Sequence, residues 1–205
     1  MSRRLGDTLV DGEEQMAVDV APSLRKFTRA EYHRMGEVGI FKPTERVELI
    51  RGEIVTMSPQ GHRHQAFIDN LNALLVRRLG DRGRVSVQSG VALGDDSEPE
   101  PDIKVLRLRD DVPYKERGPF GEDVLLLIEV AVTSLRYDRT TKLKLYAETG
   151  IPEYWIVDAT AEGIEVHRGP ERDTYRDVTR VADPMSPLAP QAFPDVVLTL
   201  AEIFA

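Results

Sequence analysis

The run "DVLLLIEVAV", residues 123–132, constrains this chain more than any other stretch. It is apolar at nearly every position, so no alternation assigns one face to water. A helix crossing a bilayer needs about 20 apolar residues, and this run is far shorter. What remains is a strand covered on both faces, in the middle of a sheet. Such a strand requires neighbours on either side and cover above and below. A chain of 205 residues with 41% hydrophobic content can supply both within one compact domain. One residue breaks the run. Glu129 is a carboxylate inside a strand expected to be dry, and a buried carboxylate without a partner is costly.

A second carboxylate stands at the start of another strand. In "SEPEPDIKVL", residues 97–106, two prolines block helix and bias the residue before each toward extended geometry. Asp102 is therefore expected at the lip of the strand that follows, at the end of an acidic approach formed by Asp96, Glu98 and Glu100. Taken alone, Asp102 reads as part of a solvated acidic turn and Glu129 as half of a structural salt bridge. If the two strands are neighbours, both carboxylates can point into one pocket. Paired carboxylate oxygens suit a hard divalent cation, Mg²⁺ or Mn²⁺.

Patterning places the remaining elements. Residues 1–26 lack steady periodicity and read as an N-terminal arm, leaving 27–205 as a single domain. Thr28 and Glu31 have capping-box spacing, so a short helix is expected from there to Gly36 or Gly39. In "RVELIRGEIVTM", Arg51-Gly52 divides two short alternating runs, as in a hairpin, and Gly52 and Glu53 belong to its turn. Phe67, Leu71, Leu74 and Leu75 form one helical stripe closed by Gly80. Val85, Val87 and Val91 recur with period two, as in a strand with one wet face. "DRTTKLKLYAETG" reads as a helix ending at Gly150, and "PEYWIVD", "GIEVHRG" and "TYRDVTRV" read as three strands. A Pro-rich tail closes on a last short helix. The order predicts an α/β (α+β) domain with a mixed central sheet flanked by helices.

Charge and composition exclude several classes. A net charge of −8 argues against a protein that coats nucleic acid by charge alone, though an acidic site holding a cation reverses the local sign. The basic groups at Arg77, Arg78, Arg82 and Arg84, and at Arg136, Arg139, Lys142 and Lys144, read as solvated faces. The absence of cysteine removes disulfides and thiolate chemistry and suits the reducing cytoplasm. Four histidines without HExxH spacing disfavour a zinc hydrolase. No apolar segment suggests a membrane partner.

"VELIRGEIVTMSP", "HRHQ", "PEPDIKVL", "LLIEVAVTS" and "YDRTTKLKLYAETGIPEYWIVD" together resemble the Uma-two family of endonuclease-like proteins, within the PD-(D/E)XK restriction-endonuclease-like superfamily. The resemblance runs from about Arg29 to the C-terminus. It implies a restriction-endonuclease-like sheet, DNA as substrate, a possible homodimer, and a metal at Asp102 and Glu129. It also implies a departure: the superfamily pattern Glu-x-Lys is here Glu129-Val130-Ala131. Ala131 shares a strand face with Glu129 and stands where the lysine is expected. Lys142 is the candidate replacement, aligned with Asp138 and Tyr146 on one face of the following helix. Glu48 is a candidate first-motif acid, against an outward-facing strand carboxylate as the alternative. His64 and Gln65 open the long helix, where the histidine either hydrogen-bonds the site or caps and packs, with capping or packing the reading adopted, while Tyr146, Tyr154 and Trp155 read as core. The expected activity is phosphodiester hydrolysis of DNA by a metal-activated water. The alternative is a nucleic-acid-binding or scaffold member of the same fold without turnover.

Overall fold

The computed structural model describes residues 23–111 and 113–205. The arm expected over 1–26 lies outside the described residues as far as residue 22, and 23–28 run without regular structure. Helix α1 (Arg29–Glu37) starts at a complete Thr28–Glu31 capping box. Strands β1 (Val47–Ile50) and β2 (Glu53–Thr56) form an antiparallel hairpin. Helix α2 (His62–Leu79) then buries Phe67, Ile68, Leu71, Leu75 and Leu79. Five further strands and one helix follow in the central part of the chain: β3 (Arg84–Val87), β4 (Ile103–Leu106), α3 (Tyr114–Arg117), β5 (Val124–Ala131), β6 (Glu153–Asp158) and β7 (Gly163–Glu171). Between β5 and β6 the chain makes α4 (Leu135–Tyr137), a π-helical turn (Asp138–Lys142) and α5 (Leu143–Glu148) without a break. The chain closes with β8 (Thr174–Val181), the short pair β9 (Pro187–Leu188) and β10 (Leu198–Thr199), and α6 (Leu200–Ile203).

The central sheet has six strands in the order β3-β4-β5-β6-β7-β8. Only β5 and β6 run parallel, and the helical segment between them is their crossover. The doubly apolar run lies in the sheet interior, between β4 and β6. One sheet face packs Ile103, Val105, Leu126, Ile128 and Trp155 against the α2 stripe. The other packs Leu127, Ala131, Tyr154 and Ile156 against Leu145, Tyr146 and Ile50, so the crossover and the hairpin cover it.

Three expectations are corrected. The strand read through Val91 stops at Val87, because Gln88 takes a left-handed backbone (φ 43°) that an extended ladder cannot hold. The crossover helix starts earlier, at Leu135, and contains the π-turn, which leaves no trace in hydrophobic period. The acidic approach is not an open face. Glu98 is bound by Arg29 at 2.8 Å and His33 at 2.9 Å, which fastens α1 to this loop.

Gly52 sits at the hairpin tip with φ 73°; its N–H donates to the Asp96 carbonyl (2.7 Å) and its carbonyl accepts from Phe27 N–H (2.9 Å). A Cβ there would stand 2.5 Å from Lys26 Cβ. Gly39 has a similar φ of 75° but open space around it. Gly52→Ala should therefore cost about 2 kcal/mol in urea unfolding, and Gly39→Ala about 1 kcal/mol or less, the difference reporting the close approach. Equal losses would show that only the backbone angle matters.

Candidate active site

The register Ile103↔Ile128 sets Asp102, one residue before β4, opposite Glu129 on β5. Both line a cavity of about 520 Å³ together with Glu48, His64, Asp138 and Lys142. Five elements meet there. The hairpin brings Glu48 from β1, the start of α2 brings His64, the β4 lip brings Asp102, and β5 with the π-turn brings Glu129 and Lys142.

Asp102 is held from three sides. Its Oδ2 accepts from Val130 N–H at 2.9 Å and lies 3.0 Å from His64 Nε2. Its Oδ1 has one long contact, 3.4 Å from Gln60 Nε2. Gln60 in turn accepts from Gln88 Nε2 at 2.6 Å, so the backbone angle that ends β3 also aims an amide at the site. Asp102 is 5% exposed, which removes the solvated-turn reading.

Glu129 accepts from Lys142 Nζ at 3.0 Å and from Tyr146 Oη at 2.7 Å, both on Oε1. Oε2 is thus the oxygen left to the cavity. Lys142 Nζ also donates to Glu48 Oε1 at 2.7 Å, and the same Glu48 oxygen accepts from Glu100 N–H at 2.7 Å. Glu48 is buried, contrary to an outward-facing strand residue. The helical face expected to align Asp138 with Lys142 is altered by the π-turn. Asp138 takes its hydrogen bond from Ser134 Oγ at 2.6 Å, while Lys142 turns to the two glutamates. Lys144 is exposed and pairs with Asp173 at 3.2 Å.

The electrostatics follow from four carboxyls around one buried ammonium. Burial pushes Glu129 up to about 8, against the pull of Lys142, and the neighbouring acids add to the rise. Burial likewise raises Asp138 to about 6, partly offset by the Ser134 hydrogen bond. Desolvation alone would depress the Lys142 ammonium, but Glu129 and Glu48 override it and hold the group above its ordinary value. The lysine stays charged, and the surplus negative charge falls on the carboxyls.

Among the described residues, no group of three or more His, Asp or Glu side chains is arranged to hold a metal ion. The donors that face the cavity are the Asp102 and Glu129 oxygens. Two hard carboxylates amid surplus negative charge fit an ion that keeps several of its own waters, as Mg²⁺ does, and do not fit a closed zinc site.

The convergence of Asp102, Glu129, Glu48 and Lys142 was anticipated from the residues and the resemblance. The parts played by Gln60, Gln88 and Tyr146 were not, and His64 takes the bonding role and not the capping one adopted for it. His64 follows directly on a helix start, where capping explains it equally well, and Tyr146 is both core and ligand to Glu129. Gln60 and Gln88 carry no periodic signal at all.

Two outcomes test this geometry. A carboxyl whose folded pKa lies above its unfolded value holds its proton more tightly when folded, so stability is lost as pH rises from about 4.5 through about 8. In chelator, the melting temperature of the wild type should fall more steeply between pH 5 and 9 than that of Glu129→Gln; parallel profiles would place the proton elsewhere. Lys142→Met removes the donor that Glu48 and Glu129 share in the interior and should cost about 3–5 kcal/mol, the scale of a broken buried pair. A loss under about 1 kcal/mol would show that water reaches the pair and screens it.

No curated protein matches the chain significantly. Among solved structures, it is similar to a putative nuclease belonging to DUF820 from Anabaena variabilis ATCC 29413, with a TM-score of 0.62 and 17% identity over 77% of this chain and 89% of that one. At that identity the likeness speaks for the fold. The family model of Uma2, described as "Putative restriction endonuclease", matches residues 29–201, which include every residue of the cavity described above. The chain belongs to the Uma2 family, and its mixed six-stranded sheet flanked by helices matches the fold of that putative nuclease.

Proposed function

We propose that this protein is a metal-dependent phosphodiesterase that cleaves DNA in the cytoplasm by attack of an activated water. The observation that carries the reading is the pairing of Asp102 with Glu129 across β4 and β5, at the floor of a cavity with more negative charge than its lysine balances. Asp102 and Glu129 would hold Mg²⁺ or Mn²⁺. When bound, such an ion neutralises charge on the scissile phosphate and makes a water more acidic.

The chain's own residues supply the positioning. Val130 N–H and His64 fix the Asp102 carboxylate, while Lys142 and Tyr146 fix one oxygen of Glu129 and leave the other facing the cavity. Glu48 holds the Lys142 ammonium from the opposite side, so the lysine keeps a positive charge beside the reacting phosphate. Ala131 leaves the Glu-x-Lys position without an ammonium, and Lys142 supplies one from the crossover.

One observation favours the alternative of a nucleic-acid-binding member without turnover. Lys142 is 2% exposed and bonded to two carboxylates, so its ammonium is occupied by the protein itself.

Supercoiled plasmid with Mg²⁺ or Mn²⁺ tests both. Wild type should nick it, and Asp102→Asn and Glu129→Gln should not. Wild type should also gain thermal stability as metal concentration rises, and both variants should lose that gain. Binding without nicking by wild type would support the second reading, and equal metal shifts in all three proteins would make the carboxylates structural.

A further inference from the structure

Tyr137 lines the same cavity and has no part in the assignment above. It ends α4, directly before the π-turn that carries Asp138 and Lys142. Its hydroxyl is buried, yet no protein group among the described residues forms a hydrogen bond with it. Around it, Lys142 is bonded to both glutamates and Tyr146 to Glu129, and among the described residues that line the cavity only His64 Nδ1 is likewise buried and without a partner.

A buried hydroxyl without a partner costs stability, and native chains retain few of them. Replacing it by the phenyl ring of phenylalanine would remove that cost without changing shape. Burial first, then Glu48, Glu129 and Asp138, push the phenol up to about 12 against the pull of Lys142, so the group keeps its proton and is a donor at neutral pH. A neutral donor adds nothing to the surplus negative charge. It complements an anionic oxygen brought in from outside, with a short charge-assisted O–H···O⁻ bond.

Resting on the phosphodiesterase reading, we infer that Tyr137 is a further catalytic residue, its hydroxyl donating to a non-bridging oxygen of the scissile phosphodiester. Lys142 and Tyr137 would then divide the work. The lysine orders the carboxylates from within the wall, and the tyrosine meets the substrate.

The test is Tyr137→Phe in the full-length protein. On supercoiled plasmid, kcat should fall at least about tenfold, the scale of one lost hydrogen bond to a charged group, with KM changed less than about twofold. The melting temperature in chelator and the shift produced by Mn²⁺ should equal or exceed those of wild type. A clear loss of melting temperature would show that the hydroxyl has a structural partner and overturn the inference. Wild-type cleavage matched within about twofold by Tyr137→Phe would overturn it too, and leave the phosphodiesterase reading standing. A wild type that binds a fluorescein-labelled 30-mer duplex in Ca²⁺ without cutting plasmid would move the comparison to affinity, where an unchanged Kd in Tyr137→Phe overturns the inference and a Kd weakened severalfold supports contact with the backbone phosphate. A wild type that neither cuts nor binds would defeat the phosphodiesterase reading and this inference together.

Discussion

The interaction on which the rest depends is the ammonium of Lys142 between Glu48 and Glu129. It joins β1, β5 and the π-turn at one point, in a setting where each charge would be costly alone. Removing water from two carboxylates and one ammonium is repaid only when geometry is good and remaining lone pairs are satisfied. Here Tyr146 and the Glu100 N–H complete the bonding of one oxygen of each glutamate. The triad also fixes which glutamate oxygen meets the cavity. Fold and candidate chemistry therefore share the same hydrogen bonds, and a change made to probe one disturbs the other.

That sharing explains why the chain places its lysine on the crossover. From Ala131, a lysine would rise from the same strand face as Glu129. From the π-turn, on the crossover that covers this same face, the ammonium reaches both Glu129 and Glu48. The extra residue of a π-turn re-aims the side chains on either side of it, and such turns recur at functional sites. Asp138 is turned to Ser134 while Lys142 points inward.

Much of the fold was legible in the sequence. The apolar run of β5 demanded a central position, Thr28 and Glu31 announced α1, and Arg51-Gly52 divided the hairpin. These features are local, with each element's own period or cap carrying the information. The missed features depend on contacts distant in sequence. Gln88 combines a left-handed backbone with an amide bonded to Gln60, and no local preference of glutamine signals either. Glu48 alternates with Val47 and Leu49 as a solvent-facing residue would, so pattern alone held two readings of it; Lys142 and the Glu100 N–H bond it in the interior. The acidic run before Asp102 resembled one solvated face, yet Glu98 and Glu100 are taken by α1 and Arg46. Polar residues with two plausible partners are where pattern reading stops, since the pattern is the same for either.

The two bridges made by Lys142 differ in the length of chain they close. The contact with Glu129 spans 13 residues and that with Glu48 spans 94. Closing the longer loop costs about 2 kcal/mol more in chain entropy, since the cost grows with the logarithm of loop length. The β5–crossover–β6 unit can thus draw its own lysine and glutamate together early, while Glu48 arrives only when the N-terminal hairpin returns to cover the sheet. The cavity is walled on that side by the hairpin. Its completion is then a late event in folding, and a chain that has not docked its N-terminal third holds an unfinished site.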